Sequence, residues 1–500
     1  MRVLFEKDAT FYAQKIRKHE MTASELVEAA LENIEQLNPK LNAIVHVQAE
    51  EARAKAAVYD HELIDLSAEE CEKLPPFYGV PILLKDLGQS EAGQPDSSGA
   101  KLMDGHVAQN TDNFVKQVLS GGFIVVGRTN VPEFGFKNET DSEVLGFANA
   151  PFSENLNAGG SSGGAAAALK AGIVPIVTAS DGGGSFRIPA SINGLIGLKP
   201  SRGRTPVGPG SYRGWQGASI HFALTKSVRD TWAMLKVMQT EQFDAPFVIP
   251  EIKEDTLEPL KRPLKFAYSL VSPIGGEVTD EAKNTVTLAL EALREVGHDT
   301  VEKKPETDGI RAMQTYYQVN GVETSAMMAS KEAGLNRPVT VDDMETMTWA
   351  LYRSGLKISG VEYSNVLAYW DTLTAEMEAF FDEYDARILP STNGVAFPHE
   401  HFKRTAELNE KLENIDDFES AEQQKLIWEM FEKSLDYTPF TQQQNLTGQP
   451  AISLPLFETE EGLPVGTQIW TRKGAETLLL QIAKQFEDKG LLHTDIYKIS

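Results

Sequence analysis

Two glycine- and serine-rich stretches decide the fold of this chain: residues 159–164 read Gly-Gly-Ser-Ser-Gly-Gly, and residues 180–185 read Ser-Asp-Gly-Gly-Gly-Ser. An alanine-rich segment through Leu169 and the apolar residues 173–177 lie between them, and they predict a helix followed by a short strand. Flexible linkers do not interleave apolar strands and alanine helices. We therefore expect these glycines to let the backbone approach another group closely.

The segments on either side continue this alternation of strands and helices. Residues 80–84 are an apolar run that predicts a buried strand delivering Lys85 at its end, and residues 123–126 predict another strand after a helical segment. Residues 308–437 are helix-rich and aromatic, but residues 386–390 among them predict an interior strand. We therefore expect an α/β fold in which this region is part of the sheet and not a separate domain.

Charge and composition exclude several classes of protein. The 500 residues carry a formal net charge of −25, which repels phosphate backbones and anionic headgroups, so we expect neither nucleic-acid nor membrane binding. Cys71 is the one cysteine, which excludes a disulfide framework and fits a reducing compartment. The sequence opens without a signal-peptide pattern and contains no apolar span of bilayer length, so we expect a cytoplasmic protein.

The glycine–serine loops by themselves allow several interpretations. They can be structural turns or a phosphate cradle, although neither the P-loop nor the dinucleotide-binding spacing occurs. Residues 160–164 match the Gly-x-Ser-x-Gly elbow with Ser162 as nucleophile, but no downstream histidine lies in a context that marks a base. Residues 98–101 match Ser-x-x-Lys, which arises easily by chance. His399 and His401 lack the spacing of zinc ligands on one helical face, so metal hydrolysis is not expected.

Serine and lysine can perform nucleophilic catalysis without histidine. Lysine titrates near 10.4, so its pKa must fall by about three units before its amine can take a proton from serine at neutral pH. The apolar run before Lys85 is suited to bury the amine and lower its pKa, whereas pairing with Asp86 is the structural alternative. Three consecutive glycines at residues 182–184 offer closely spaced amides to an oxyanion, which makes Ser185 the expected nucleophile.

At these residues the chain closely resembles the amidase signature family. The matching segments follow one order along most of the chain: residues 79–86, 127–134, 159–204, 445–455 and 462–466. The resemblance implies a three-layer α/β/α fold with a mixed central sheet and a single domain over residues 1–500. We expect residues 308–437 to be a helix-rich insertion that forms the substrate wall.

The resemblance also implies a Ser–cis-Ser–Lys triad. Ser185 is then the nucleophile, Ser161 the bridging residue and Lys85 the base, and the peptide bond before Ser161 is expected to be cis. Ser162 is the competing candidate for the bridge, because it is the immediate neighbour of Ser161.

The second glycine loop is expected to hold the oxyanion through the backbone amides of Gly182, Gly183 and Gly184. Asp181 and Arg187 are expected to brace this loop by pairing with each other. The loop departs from the family pattern at Gly182, where the family often has a larger residue.

The function implied by the resemblance is hydrolysis of the C–N bond of a small linear carboxamide, without a metal or organic cofactor. The glutaminase subunit of a tRNA-dependent amidotransferase is the alternative, but that subunit has glutamine where this chain has Ile188. The Ser-Asp-Gly-Gly-Gly-Ser sequence is similar to the branch of 6-aminohexanoate cyclic-dimer hydrolases. A non-catalytic binding protein and a homodimer stay open at this point.

Overall fold

A mixed sheet of eleven strands runs through the part of the chain that the computed structural model describes, residues 4–499. The single-domain prediction therefore reaches beyond the described residues at positions 1–3 and 500. The strands are β1 Ile44–Val47, β2 Pro81–Lys85, β3 Ile124–Thr129, β4 Asp141–Ser142, β5 Gly146–Phe147, β6 Asn149–Ala150, β7 Ser153–Asn157, β8 Val177–Asp181, β9 Ile196–Lys199, β10 Ile220–Thr225, β11 Lys265–Tyr268, β12 Asp299–Glu302, β13 Ala386–Pro390, β14 Ala451–Glu458 and β15 Pro464–Trp470.

The order of strands in the main sheet is β1-β3-β2-β8-β10-β9-β14-β15-β13-β11-β12. Strand β2 is parallel to β3 and β8, and β11 is parallel to β12 and β13. The strands from β8 to β13 in the middle of the sheet pair antiparallel with one another. The predicted α/β fold with a mixed central sheet is confirmed.

Amphipathic helices pack against this sheet and against one another. Helix α2 begins with the capping box expected from Thr22 and Glu25, and its buried face repeats at helical spacing. The helices are α1 Ala9–Arg17, α2 Ala23–Leu41, α3 Ala49–Leu63, α4 Ala68–Glu72, α5 Asn113–Ser120, α6 Gly163–Lys170, α7 Arg187–Asn193, α8 Val228–Met238, α9 Asp280–Glu295, α10 Gly309–Leu335, α11 Thr346–Gly355, α12 Gly360–Glu383, α13 Ala406–Glu413, α14 Ser420–Tyr437, α15 Gln443–Thr447 and α16 Glu476–Asp488.

One strand lies later in the sequence than its apolar pattern indicates. The sequence predicts a strand over residues 173–177, but β8 begins at Val177 and ends at Asp181, so this prediction is wrong. Pro175 lies in the middle of the predicted segment, and proline has no amide hydrogen to donate to a ladder. The more polar residues 177–181 form the strand because they pair with β10 in the interior of the sheet.

The topology brings the two glycine loops and the lysine to one edge of the sheet. Strands β2 and β8 are parallel neighbours, so their carboxyl ends lie side by side. Lys85 ends β2 and Asp181 ends β8, with residues 182–186 following directly. The first glycine loop, residues 159–162, immediately precedes α6.

The helix-rich region contains α10 to α14 together with β13. Strand β13 pairs with β11 and β15, so the region contributes to the main sheet, as predicted. Its helices bury an apolar cluster of their own that includes Tyr316, Trp370 and Phe431. Among the helices of residues 4–499, none is long and apolar enough to cross a membrane.

Candidate active site

Lys85 lies at the end of a strand whose five residues are all buried, and its side chain is fully buried. Its Nζ atom is 2.8 Å from Ser161 Oγ and 2.9 Å from Ser162 Oγ, both within hydrogen-bond distance. The neighbouring Asp86 does not pair with this amine, because its carboxylate accepts from Ser97 and lies 3.9 Å from Arg128 Nη1. The geometry therefore favours the catalytic interpretation of Lys85 over the structural one.

The environment of Lys85 brings the pKa of its amine close to physiological pH. Burial lowers the pKa of Lys85 to about 7, against the opposing influence of the Asp181 carboxylate. This value agrees with the fall of about three units that a lysine base requires at neutral pH. At pH 7 a substantial fraction of Lys85 is thus able to accept a proton.

Ser161 and Ser162 follow the cis peptide bond Gly160–Ser161, which confirms the predicted isomer at this position. Glycine is required at 160 because a Cβ there would lie 2.5 Å from the carbonyl oxygen of Glu139. Ser162 Oγ also donates to the carbonyl of Ser180 at 3.2 Å. Ser162 therefore holds the amine of Lys85 against the end of β8, while the Ser161 hydroxyl makes no such bond to the backbone within residues 4–499.

The second glycine loop places Ser185 at the same edge of the sheet, with 7% of its surface exposed. No hydrogen bond joins Ser185 Oγ to Ser161 Oγ in this arrangement of the described residues. The Gly184 amide donates to Asp181 Oδ1 at 2.6 Å, so it is not free to bind an oxyanion as the sequence predicts. The amides of Gly182 and Gly183 make no such bond within residues 4–499, and these two remain the predicted donors.

Asp181 and Arg187 form a fully buried, two-point ion pair, as predicted. Arg187 Nε and Nη2 each donate to Asp181 at 2.9 Å. Burial alone would raise the pKa of Asp181, but the charge and hydrogen bonds of Arg187 lower it below its ordinary value. Arg187 also donates to Gln444, Asn445 and Gln468, which fixes the loop to α15 and β15.

The sequence does not single out three residues that lie beside the loop, although Tyr316 belongs to the predicted substrate wall. Trp215 and Tyr316 would contact side chains added at Gly182 and Gly183, and Thr441 Oγ1 donates to the Gly183 carbonyl at 2.7 Å. They lie far from the glycine loops in sequence and belong to no recognisable motif. The segment that resembles the family at residues 445–455 begins four residues after Thr441 and does not include it.

The competing sequence patterns do not converge on a site. Lys101 Nζ donates to the carbonyl of Asp342 at 2.6 Å, so it does not pair with Ser98 as a base. His221 Nδ1 lies 3.3 Å from Gln89 Nε2. The ring of His298 is hydrogen-bonded to the Leu264 amide and to the side chain of Gln485. Across residues 4–499, no histidine is hydrogen-bonded to Ser162 or Ser185.

Comparisons with known proteins find a family model and relatives that match most of the chain. The family model described as "Amidase" matches residues 25–480. The chain is 36% identical over 479 residues to a lipoamidase of Enterococcus faecalis, which covers 95% of this chain and 62% of that protein. The chain thus spans less than two thirds of the length of this relative. It is also 30% identical over 492 residues to the 6-aminohexanoate-cyclic-dimer hydrolase of Paenarthrobacter ureafaciens, covering 96% of this chain and 94% of that protein. A solved structure of a 6-aminohexanoate cyclic dimer hydrolase superposes with a TM-score of 0.87 at 28% identity and covers 98% of both chains.

Proposed function

The chain belongs to the amidase signature family, and we propose that it is an amidohydrolase that hydrolyses linear carboxamides through an acyl-enzyme on Ser185. The observation that carries this mechanism is the buried amine of Lys85, 2.8 Å from Ser161 Oγ and with a pKa of about 7. A serine–lysine relay needs an amine that lies within hydrogen-bond distance of a serine hydroxyl and that can be neutral at the working pH.

Acylation uses Lys85 and Ser161 as a proton relay. Neutral Lys85 accepts the proton of Ser161, which accepts the proton of Ser185 as the Ser185 oxygen attacks the amide carbon. The backbone amides of Gly182 and Gly183 stabilise the negative oxygen that forms. The C–N bond then breaks, and the proton returns through Ser161 to the leaving nitrogen.

Deacylation runs the same relay with water in place of Ser185. Water attacks the ester carbon and loses its proton through Ser161 to Lys85, and the C–O bond to Ser185 breaks as Ser185 recovers a proton. The products are a carboxylic acid and the free amine. The chain's own residues supply every proton transfer in this scheme, so it requires neither a metal nor an organic cofactor.

The substrate we propose is a small amide, in keeping with the relatives, a lipoamidase and a 6-aminohexanoate-cyclic-dimer hydrolase. Residues 308–437 contribute to its binding site in this proposal, supported by the contact between Tyr316 of α10 and the loop at Gly183. The fully buried Ile188 packs beside Gly184 at the position of the glutaminase subunit's glutamine. This apolar contact gives no support to glutamine binding there.

Intact-mass spectrometry of the purified chain tests the acyl-enzyme. Rapid acid quenching during turnover of a panel of linear anilides should reveal an adduct with the mass of the acyl group, mapped to the peptide containing Ser185. Ser185→Ala should form no adduct and retain the wild-type melting temperature, whereas Ser120→Ala, an exposed serine at the end of α5, should behave like the wild type. Turnover that persists in Ser185→Ala would overturn the proposal.

A further inference from the structure

The unusual glycine of the oxyanion loop makes room for a tryptophan. A Cβ at Gly182 would lie 2.7 Å from Cζ3 and 2.8 Å from Cε3 of Trp215, so the indole occupies the space of a side chain at 182. Ring atoms of an indole cannot move aside as the end of a flexible chain can. Gly182 and Trp215 are therefore matched, and a larger residue at 182 excludes the indole from this position.

The backbone of Trp215 is held in a conformation that bulky residues rarely adopt. Its φ is 48° and that of Gln216 is 54°, both in the left-handed region. The surrounding contacts enforce these angles: Gln216 Nε2 donates to Glu323 Oε1 at 2.9 Å, and the Ala218 amide donates to the Trp215 carbonyl at 3.0 Å. Strain of this kind is concentrated at functional sites, where a side chain must point in one direction.

Asn445 ties the segment of Trp215 to the loop of Ser185. Its Nδ2 atom lies 3.0 Å from the Ala218 carbonyl, 3.0 Å from the Asp181 carbonyl and 2.9 Å from Asp181 Oδ1. One amide group thus joins the residue that begins the oxyanion loop to the turn that carries Trp215. The distance between the indole and the loop is fixed by this connection.

Two further rings extend the surface of Trp215, and we call Phe136, Trp215 and Tyr316 the aromatic wall. Phe136 stacks on Trp215 with 5.8 Å between ring centroids, and Tyr316 meets Trp215 edge-on at 6.1 Å. The hydroxyl of Tyr316 lies close to Gly183, where an added Cβ would contact it. Gly183 is half-buried, whereas Gly182 and Gly184 are buried. The wall therefore lies beside the two amides that are proposed to hold the substrate carbonyl.

We propose that Trp215 is a specificity-determining residue that selects carboxamides with an apolar acyl group. This inference rests on the proposed function, because it places the substrate carbonyl at Gly182 and Gly183. An acyl chain attached to that carbonyl begins within reach of the indole and gains from burial against its ring. A charged acyl group would lose its hydration against the same surface without a compensating partner.

Two series of substrates test this inference. In one series the amine is p-nitroaniline and the acyl group is acetyl, hexanoyl, benzoyl or succinyl; in the other series the acyl group is hexanoyl and the amine varies. Wild-type kcat/KM should be highest for hexanoyl and benzoyl and lowest for succinyl. Trp215→Gly, which tolerates a positive φ, should lower the ratio of hexanoyl to acetyl kcat/KM by about tenfold to one-hundredfold. Trp215→Phe should recover part of this ratio.

The controls separate the possible failures. Trp232→Phe, on α8 outside the site, should keep the wild-type preference. An equal loss for every acyl group in Trp215→Gly would show a merely structural role, and a change confined to the amine series would place the wall on the leaving-group side. Either result overturns the inference and leaves the proposed function intact. A wild-type enzyme that neither turns over these amides nor is labelled at Ser185 by a fluorophosphonate would overturn the proposed function and the inference with it.

Discussion

Two lysines, the fully buried Lys85 and the half-buried Lys137, have opposite electrostatic environments. Burial lowers the pKa of both amines, and at Lys85 it prevails, because the atoms in hydrogen-bond distance of Nζ are the hydroxyls of Ser161 and Ser162. At Lys137 the carboxylates of Asp141 and Glu345 contact the amine and raise its pKa above the ordinary value. Burial beside hydroxyls thus produces a base, whereas burial beside carboxylates produces a permanent cation.

The hydrogen bonds of Asp181 distinguish the surroundings of Lys85 from those of Lys137, whose amine contacts carboxylates directly. Burial lowers the pKa of Lys85 by more than the Asp181 carboxylate raises it, and that carboxylate accepts hydrogen bonds from Arg187 and from the loop amides. Arg187 thereby performs two tasks. It braces the loop of Ser185 and forms an ion pair with the carboxylate whose charge acts on the base.

Replacement of Lys85 by methionine should give the largest effect. Lys85→Met removes the base and keeps an apolar side chain of similar length, so we expect kcat/KM to fall by about 10³-fold or more. The melting temperature should stay the same or rise, because a buried amine is replaced by an apolar group. Steady-state kinetics and thermal unfolding measure the two quantities. Activity within tenfold of the wild type would contradict the proposed relay.

The same replacement at Lys137 should damage folding and not catalysis. Lys137→Met leaves the buried carboxylate of Glu345 and the half-buried carboxylate of Asp141 without their cation, which should lower the free energy of unfolding by about 3 kcal/mol. Urea denaturation measures this loss, and Lys137→Arg serves as the charge-preserving control. Unchanged stability together with lost turnover would show that Lys137 acts in the reaction, and the contrast with Lys85 would fail.

The two serines that contact Lys85 should differ when each is replaced by alanine. Ser161→Ala breaks the proposed relay and should lower kcat/KM by about one-hundredfold or more. Ser162→Ala removes only a contact that orients the amine, so we expect a loss below about tenfold. The pair of variants compares neighbouring residues with nearly equal distances to Lys85 Nζ. Equal losses, or a larger loss at Ser162, would move the bridging role to Ser162.

The pH dependence of the wild type should report the pKa of Lys85. The reactive form is the neutral amine, so kcat/KM should fall about tenfold per pH unit as the pH drops below about 7. Ser162→Asp would place a carboxylate beside the amine, as at Lys137, and would raise the pKa of Lys85. The fall in kcat/KM should therefore begin at a higher pH in this variant. If kcat/KM of Ser162→Asp falls at the same pH as in the wild type, a group other than Lys85 determines the pH dependence.

Patterns within a few residues are sufficient to predict much of the site. The apolar run before Lys85 predicts a buried strand because a continuous apolar run of that length cannot remain in solvent, and β2 is fully buried. The three consecutive glycines before it indicate Ser185 as a candidate, and the family resemblance adds Ser161. The failure at residues 173–177 has the same local origin, since apolar character alone does not reveal that Pro175 interrupts the ladder.

Contacts between distant residues account for what the sequence analysis did not predict. The Gly184 amide donates to the carboxylate of Asp181, and that carboxylate also accepts from Asn445, which is distant in the sequence. Trp215 reaches Gly182 only because Asn445 and Glu323 fix its turn. Nothing in the sequence around Trp215 and Asn445 indicates which residues of the loop they contact.

The sequence by itself therefore determined which chemical groups this protein possesses and at which strand and helix ends they stand. Those properties depend on the sterics of glycine, the absence of an amide hydrogen in proline and the length of an apolar run, all of which act locally. Only the tertiary structure decided that the amine of Lys85 lies 2.8 Å from Ser161 and that Lys137 is paired while Lys85 is not. The physical reason is that the pKa of a buried group depends on the charges and dipoles packed around it, and here those come from segments far apart in the chain.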